Sequence, residues 1–199
     1  MPRPSQEAKI LDAALSCFAK LGYDATRIKH IAEAAEVSEA AIYRHYVSKE
    51  ALAEALFWHW LTRFSVELAA IAAQDDQSIE QRLRSIIATL LSFYRRDTNA
   101  ALFVLIRPPM FWLTPPEGLV FPVEIVERLI EQGQAVHLIR EGRRNLLAAI
   151  FLGCVLRPVI VAEGSDPGAL DLIHETQHDV IIADAAWHAI KRIAPDELG

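Results

Sequence analysis

Residues 26–52, TRIKHIAEAAEVSEAAIYRHYVSKEAL, decide how the N-terminal part of this chain folds. Ile28, Ile31, Ala32 and Ala35 recur at helical spacing, so one face of a first short helix is apolar. Glu36-Val37 breaks that helix, and Ser38 is a good N-cap for a second one. The second helix buries Ile42 and carries Glu39, Tyr43, Arg44 and His45 on or beside its outer face. Small Ala32 lets the two helices cross closely, with Val37 and Ile42 filling the angle between them. This is the logic of a helix-turn-helix, whose second helix suits the DNA major groove. The turn position is Glu36, where many such units have Gly. Positive φ there would cost on the order of 1 kcal/mol, which is tolerable.

The run Val37-Ser38-Glu39-Ala40-Ala41-Ile42-Tyr43-Arg44-His45-Tyr46, followed by Ser48-Lys49-Glu50-Ala51-Leu52, resembles the DNA-binding region of the TetR/AcrR transcriptional regulators. Ile10-Leu11-Asp12-Ala13-Ala14-Leu15, through Phe18 to Gly22-Tyr23, resembles the first helix of that family. The resemblance covers roughly the first quarter of the chain and rests on an ordered set of residues rather than one motif. It implies that Tyr43 and Lys49 hold the DNA backbone, and that helix N-termini clamp phosphates through free N–H groups. On that basis Thr26 and Ser38, both expected as N-caps, are candidate phosphate contacts as well as caps. Arg27, with Lys29, flanks the first helix on the backbone side. Bases would be read by Arg44 and His45, with Glu39 and the small Ala40 and Ala41. Arg44 either forks onto guanine, worth about 1–3 kcal/mol of discrimination, or meets another phosphate. Glu39 either accepts from cytosine or excludes wrong sequences, and the alanines admit thymine methyl groups.

The net charge of −6 is unevenly spread. Residues 1–63 hold eight basic and eight acidic side chains, so the whole excess lies in residues 64–199. An acidic body with a locally basic tip can still bind phosphate, because the field at close range dominates. Modest non-specific affinity with strong salt dependence follows. Apolar residues make up 52% of the chain and mean hydropathy is +0.19, which calls for a large pocket or a subunit interface. Cys17 and Cys154 are far apart and read as buried free thiols rather than a disulfide or metal set. The N-terminal MPRPSQEAKI has no apolar core of the signal-peptide kind. The apolar stretch from Leu146 is expected to stop at Arg157-Pro158, short of a membrane span. A cytoplasmic protein is expected.

Helical periodicity runs through the whole chain, and the fold class is all-α. Helices are expected from after Ser5 to Gly22, from Ser48 to about Ala73, over Ile79–Arg96, Ala100–Ile106, Val123–Arg140, Arg144–Val161 and Ala169–Ile193. The segment from Pro108 to Pro122 is irregular, with two Pro-Pro pairs and Gly118. Residues 1–51 are expected as a three-helix helix-turn-helix domain and 52–199 as a helical regulatory and dimerisation domain. Trp60, Phe64, Phe103, Phe111 and Trp112 could line an apolar effector cavity with Arg107 and His137 as polar anchors. Each ring taken alone reads equally as core. The resemblance implies a dimer made by the last two long helices. Leu147, Ile150, Phe151, Cys154, Ile173, Val180 and Trp187 make those helices too apolar to stand half-exposed.

His174 and His178 sit at i, i+4, a spacing that could hold a metal, yet no third ligand is evident. No metal and no cofactor is expected. There is no P-loop, dinucleotide fingerprint or nucleophile motif, so an enzyme is not expected. The expectation is a homodimeric DNA-binding regulator, a repressor released from a pseudo-palindromic operator by a small apolar or amphipathic effector. The alternative is a DNA-binding regulator or nucleoid-associated protein without an effector.

Overall fold

The structure is a computed structural model, and it describes residues 5–106, 108, 115–164 and 175–193. Among these residues it is helical without a strand, as the periodicity requires. The helices are α1 (Gln6–Leu21), α2 (Ile28–Ala35), α3 (Glu39–His45), α4 (Lys49–Ala72), α5 (Ile79–Arg96), α6 (Thr98–Ala101), α7 (Pro122–Ala135), α8 (Arg144–Gly164) and α9 (His178–Ile190). A π-helical stretch, Leu102–Ile106, continues α6. The chain divides into two compact units, one of residues 1–63 and 97–119, the other of residues 64–96 and 120–199.

In the first unit α1 starts where Ser5 accepts from the Ala8 N–H at 3.1 Å, and it ends at Gly22 with φ 81°. That positive φ is open to glycine at no steric cost. Helical spacing puts Ile10, Ala14, Leu15, Phe18 and Leu21 on one apolar face of α1, and the first four are buried. Leu21 is instead half exposed, and Ala13 and Ala19 take its place, so the buried face is wider and nearer the helix middle. Phe18 stacks on Phe103 at 5.4 Å, and Phe57 meets the same ring edge-on at 6.2 Å. The segment 97–106 is therefore part of this unit's core.

In the second unit Leu83, Ile86, Ile87, Leu90 and Leu91 of α5 are all buried. Phe64 stacks on Phe93 at 4.8 Å. Two ion pairs tie α5 to α9: Arg84 to Asp184 at 2.6 Å, and Arg95 to Asp179 in a fork with Nη1 at 2.9 Å. Arg82 is buried and donates to the Ala72 carbonyl at 2.8 Å, closing the end of α4. Tyr94 donates to Glu163; burial, with that carboxylate beside it, pushes the phenol well above its usual range.

Four helix boundaries differ from expectation; one is the start of α9, which begins at His178 so that residues 175–177, expected inside the last helix, precede it. The helix drawn to Arg140 stops at Ala135 because His137 takes φ 56° and the Gly133 carbonyl accepts from Leu138 at 2.8 Å. Gly133 is required there, since a Cβ would lie 2.5 Å from Ile139 Cδ1. The chain then forms a single antiparallel bridge, Ile139 to Lys191, which also ends α9 at Ile190 rather than Ile193. Finally, α8 does not end at Val161 but runs through Pro158 to Gly164. By length and composition residues 144–163 are apolar enough to cross a membrane, contrary to the expectation from Pro158. Here they wall the second unit, with Leu147, Ala148, Phe151, Val155, Val159 and Ala162 buried.

Phe151 is almost fully buried, so Phe151→Ala should cost about 3–5 kcal/mol of unfolding free energy in a denaturant titration. A loss below 1 kcal/mol would mean that α8 does not wall the core in this way.

Candidate nucleic-acid interface

The site is built on the α2–α3 pair. Ile28, Ile31, Ala32 and Ala35 of α2 and Ile42 of α3 are buried, so the apolar pattern locks one face of each helix inward. Glu36 does adopt the left-handed conformation, φ 56° and ψ 44°, and the Val37 N–H closes the turn on Ala32 O at 3.0 Å. Ser38 caps α3 by accepting from Ala41 N–H at 3.2 Å, and it is exposed, so its hydroxyl hydrogen still faces solvent. Glu39, Ala40, Tyr43, Arg44 and His45 are exposed together on the outer side of α3. Tyr43 is 51% exposed, which excludes the packed-aromatic role for it. Ala41 is buried on the core side, so only Ala40 of the two alanines can meet a base.

Thr26 is a correction. The cap of α2 is Arg27, whose N–H donates to His30 Nδ1 at 3.2 Å. Thr26 is fully buried, and its hydroxyl donates back to the carbonyls of Gly22 at 2.7 Å and Cys17 at 3.2 Å. A side chain already bonded inside cannot also cap the helix or reach a phosphate. Arg27 is exposed and stands at that end of α2 instead.

Lys49 has a second task that its sequence position does not reveal. Its ammonium donates to Tyr23 O at 3.0 Å and Thr26 O at 2.9 Å, and lies 4.2 Å from the centre of the Tyr23 ring. The Tyr23 hydroxyl donates in turn to Glu50 at 3.0 Å. Burial, then the Glu50 bond, raises the Tyr23 hydroxyl well above its usual value; Glu50 is lowered first by a hydrogen bond from its own backbone N–H and then by the Tyr23 bond. At the other end of α3, Tyr46 donates to Glu7 at 3.1 Å, and its hydroxyl is pushed up to about 12 by burial first. Arg44 reaches Gln6 at 3.5 Å, a long contact that a DNA base or phosphate could displace. Tyr23, Glu50, Tyr46 and Gln6 were not singled out from the sequence. Tyr23, Tyr46 and Glu50 stand in the family-like runs, but nothing in their spacing assigns these bonds to them.

The residues assigned to an effector cavity are described one by one. Phe103 is a core ring of the first unit and Phe64 of the second, each stacked on a neighbour in its own unit. Trp60 is half-buried and stacks under the Arg63 guanidinium at 4.9 Å. His137 is exposed in the turn after α7 and cannot anchor a ligand inside an apolar cavity. Arg107, Phe111 and Trp112 lie outside the described residues. What the second unit does offer is a groove of about 230 Å³ between Ala69 and Ala72 of α4, with Ala73 just beyond it, and Ile125, Arg128, Leu129 and Gln132 of α7, with Val120. The small alanines open it and Arg128 with Gln132 supply polar groups, a pattern visible only once the helices are placed.

The dimer set splits as well. Leu147, Phe151 and Trp187 are intrachain core, Cys154 is half-buried, and Ile150 (41%) and Val180 (64%) are exposed. Ile173 lies outside the described residues. Leu146, Ile160, Val161 and Ile181 are exposed too, so an apolar stripe remains on the α8–α9 pair. Both cysteines are free, half-buried rather than buried, and burial raises both thiols. His174 lies outside the described residues, and among those described no cluster suits a metal ion.

The family model described as "Bacterial regulatory proteins, tetR family" matches residues 10–56. The chain is 36% identical over 156 residues to the HTH-type transcriptional regulator YvkB of Bacillus subtilis (strain 168), spanning 77% of this chain and 80% of that one. It is 27% identical over 105 residues to the HTH-type transcriptional repressor ComR of Escherichia coli (strain K12), spanning 52% and 50%. Its fold is similar to that of AibR, solved in complex with isovaleryl coenzyme A and operator DNA. The TM-score is 0.67 at 21% identity, over 92% of this chain and 96% of that one.

Glu36→Gly should raise stability by about 1 kcal/mol, because glycine carries no Cβ penalty at this φ. A lower melting temperature for that variant would show that the turn is not held left-handed.

Proposed function

Since the chain belongs to the tetR family of bacterial regulatory proteins, we propose that it is a cytoplasmic, homodimeric repressor that an effector releases from its operator. It is a DNA-binding transcriptional regulator of that family. The observation that carries the reading is the outer face of α3, where Glu39, Ala40, Tyr43, Arg44 and His45 are all exposed while Ala41 and Ile42 anchor the helix. In this reading residues 1–51 meet DNA and 52–199 regulate. Tyr43, Ser38 and Arg27 hold phosphates, and Arg44 and His45 face base edges beside Glu39 and Ala40. Repression is supported by the likeness to ComR, and release by an effector by the likeness to a protein solved with both an acyl coenzyme A and operator DNA.

The second half of the proposal rests on the α8–α9 face. Ile150, Ile160 and Val161 with Val180 and Ile181 stay exposed, and contiguous exposed apolar surface of this kind marks an interaction site. A Cβ at Gly153 would meet nothing within 4 Å, so a partner helix can approach closely there. Two copies of this helix pair would form a four-helix interface, and the two α3 helices would then enter successive major grooves. An effector that binds one dimer geometry better than the other shifts the population away from the DNA-competent spacing.

Selection of bound fragments from the source genome at near-physiological salt should return one recurring inverted repeat; recovery without a motif would sink the proposal. On that repeat Arg44→Ala should relax preference at one base position, and Tyr43→Ala should weaken binding to all sequences. Lys49 is tested by the salt slope. If its ammonium mainly holds residues 23–26, Lys49→Ala lowers affinity while the slope stays the same; a phosphate contact would reduce it by about 1. The double change Ile150→Glu with Val180→Lys should turn the dimer into folded monomers by sedimentation, and an unchanged dimer would move the interface elsewhere.

A further inference from the structure

Residues 64–199 carry the chain's entire excess of negative charge, yet segments 140–144 and 191–192 gather five cations against Glu141 alone. Arg144 is engaged by Glu131 at 2.9 Å and Glu127 at 3.7 Å. The Arg140 guanidinium is held by two neutral acceptors, the carbonyls of Lys191 and His188, each at 3.3 Å. They fix its direction without cancelling its charge. The Arg192 side chain makes no ion pair among the described residues. The two arginines share an open cavity of about 420 Å³ with His137, Glu141 and Ile193.

The frame around this notch is rigid. The Ile139–Lys191 bridge is flanked by Arg140 N–H to Ile190 O at 3.0 Å and Arg192 N–H to Leu138 O at 2.9 Å. His137 is turned toward the notch by a left-handed φ of 56°, which a non-glycine residue adopts only when its surroundings hold it there. Two guanidiniums suit a phosphate, which they can bind bidentately. Glu141 would repel a bare anion but can accept from a hydroxyl beside the phosphate, and Ile193 offers an apolar contact to carbon. The lining therefore fits an organic phosphate better than an inorganic one.

We propose that this notch binds a small phosphorylated polyol or sugar, gripping the phosphate with Arg140 and Arg192 and a hydroxyl with Glu141. Such a ligand joins the turn after α7 to the end of α9, one of the two helices of the dimer face. Its action as an effector rests on the regulatory reading above; its binding does not.

The test titrates the full chain with ribose 5-phosphate, inorganic phosphate and ribose, each at matched ionic strength, by calorimetry and thermal shift. Ribose 5-phosphate should bind and raise the melting temperature, inorganic phosphate should do so less, and ribose not at all. Arg192→Ser should weaken binding roughly tenfold or more, while Arg143→Ser, outside the lining, should not. Circular dichroism checks that the variants fold, which exposed Arg192 permits. Equal binding by the Arg192→Ser variant would overturn the proposal, placing the phosphate elsewhere, as at Arg27 and Arg44. So would a response no larger than that to sodium chloride, or inorganic phosphate matching the sugar phosphate. Any of these leaves the inverted-repeat selection, and with it the DNA-binding reading, untouched.

Discussion

One ammonium group organises the helix-turn-helix of this protein. Lys49 sits at the start of α4, yet its bonds go to the carbonyls of Tyr23 and Thr26 in the link between α1 and α2, with the Tyr23 ring beneath it. Those carbonyls follow the end of α1, where the helix dipole already favours a cation nearby. The same link is held from below by Thr26, whose buried hydroxyl reaches back to Gly22 and Cys17. Three helices thus meet at one charge-assisted cluster, and the position of α2, and with it α3, follows. Removing the lysine would take the Lys49 donor from the Thr26 carbonyl, while Tyr23 O keeps the Thr26 N–H at 3.2 Å, and would loosen the link, so loss of DNA binding by itself would not identify a phosphate contact.

The second unit solves a different problem, that of placing very apolar helices. α8 and α9 cannot bury all of their apolar surface within one chain. Phe151, Val155, Val159, Ile182, Ala186, Trp187 and Ile190 turn inward, while Ile150, Ile160, Val180 and Ile181 do not. Orientation of α9 is fixed by charge as well as by packing, since Asp179 and Asp184 engage Arg95 and Arg84 on α5. Partly exposed pairs of this kind add little to stability, about 0–1 kcal/mol each, but they select one rotation of the helix over its neighbours. That rotation is what leaves Val180 and Ile181 outward.

The helix-turn-helix was legible because its signals are local. Apolar spacing in α2, the Ser38 cap and the Glu36-Val37 break each act within a few residues, and each lies where the periodicity put it. The exposed set on α3 followed from the same period, apart from Ala41, whose small side chain gave no sign of which face it served. Thr26 was misread because a hydroxyl before a helix can cap it or bond backward, and only the path of the preceding loop selects between the two. The end of α7 was overrun because Gly133 packs against Ile139, a contact made only after the turn at His137 has formed.

The sequence by itself determined the class of the fold, the helix-turn-helix and the outward face of its second helix, since those depend on helical period and on capping within a turn. It also required that apolar surface on the last helices be covered. Only the tertiary structure decided which of those apolar residues stay inside, that Lys49 binds its own chain, and that Arg140 and Arg192 share a notch 52 residues apart in sequence. The physical reason is range. Caps and periods are set by neighbours along the chain, whereas burial, guanidinium partners and cavities are set by whichever distant segments pack together.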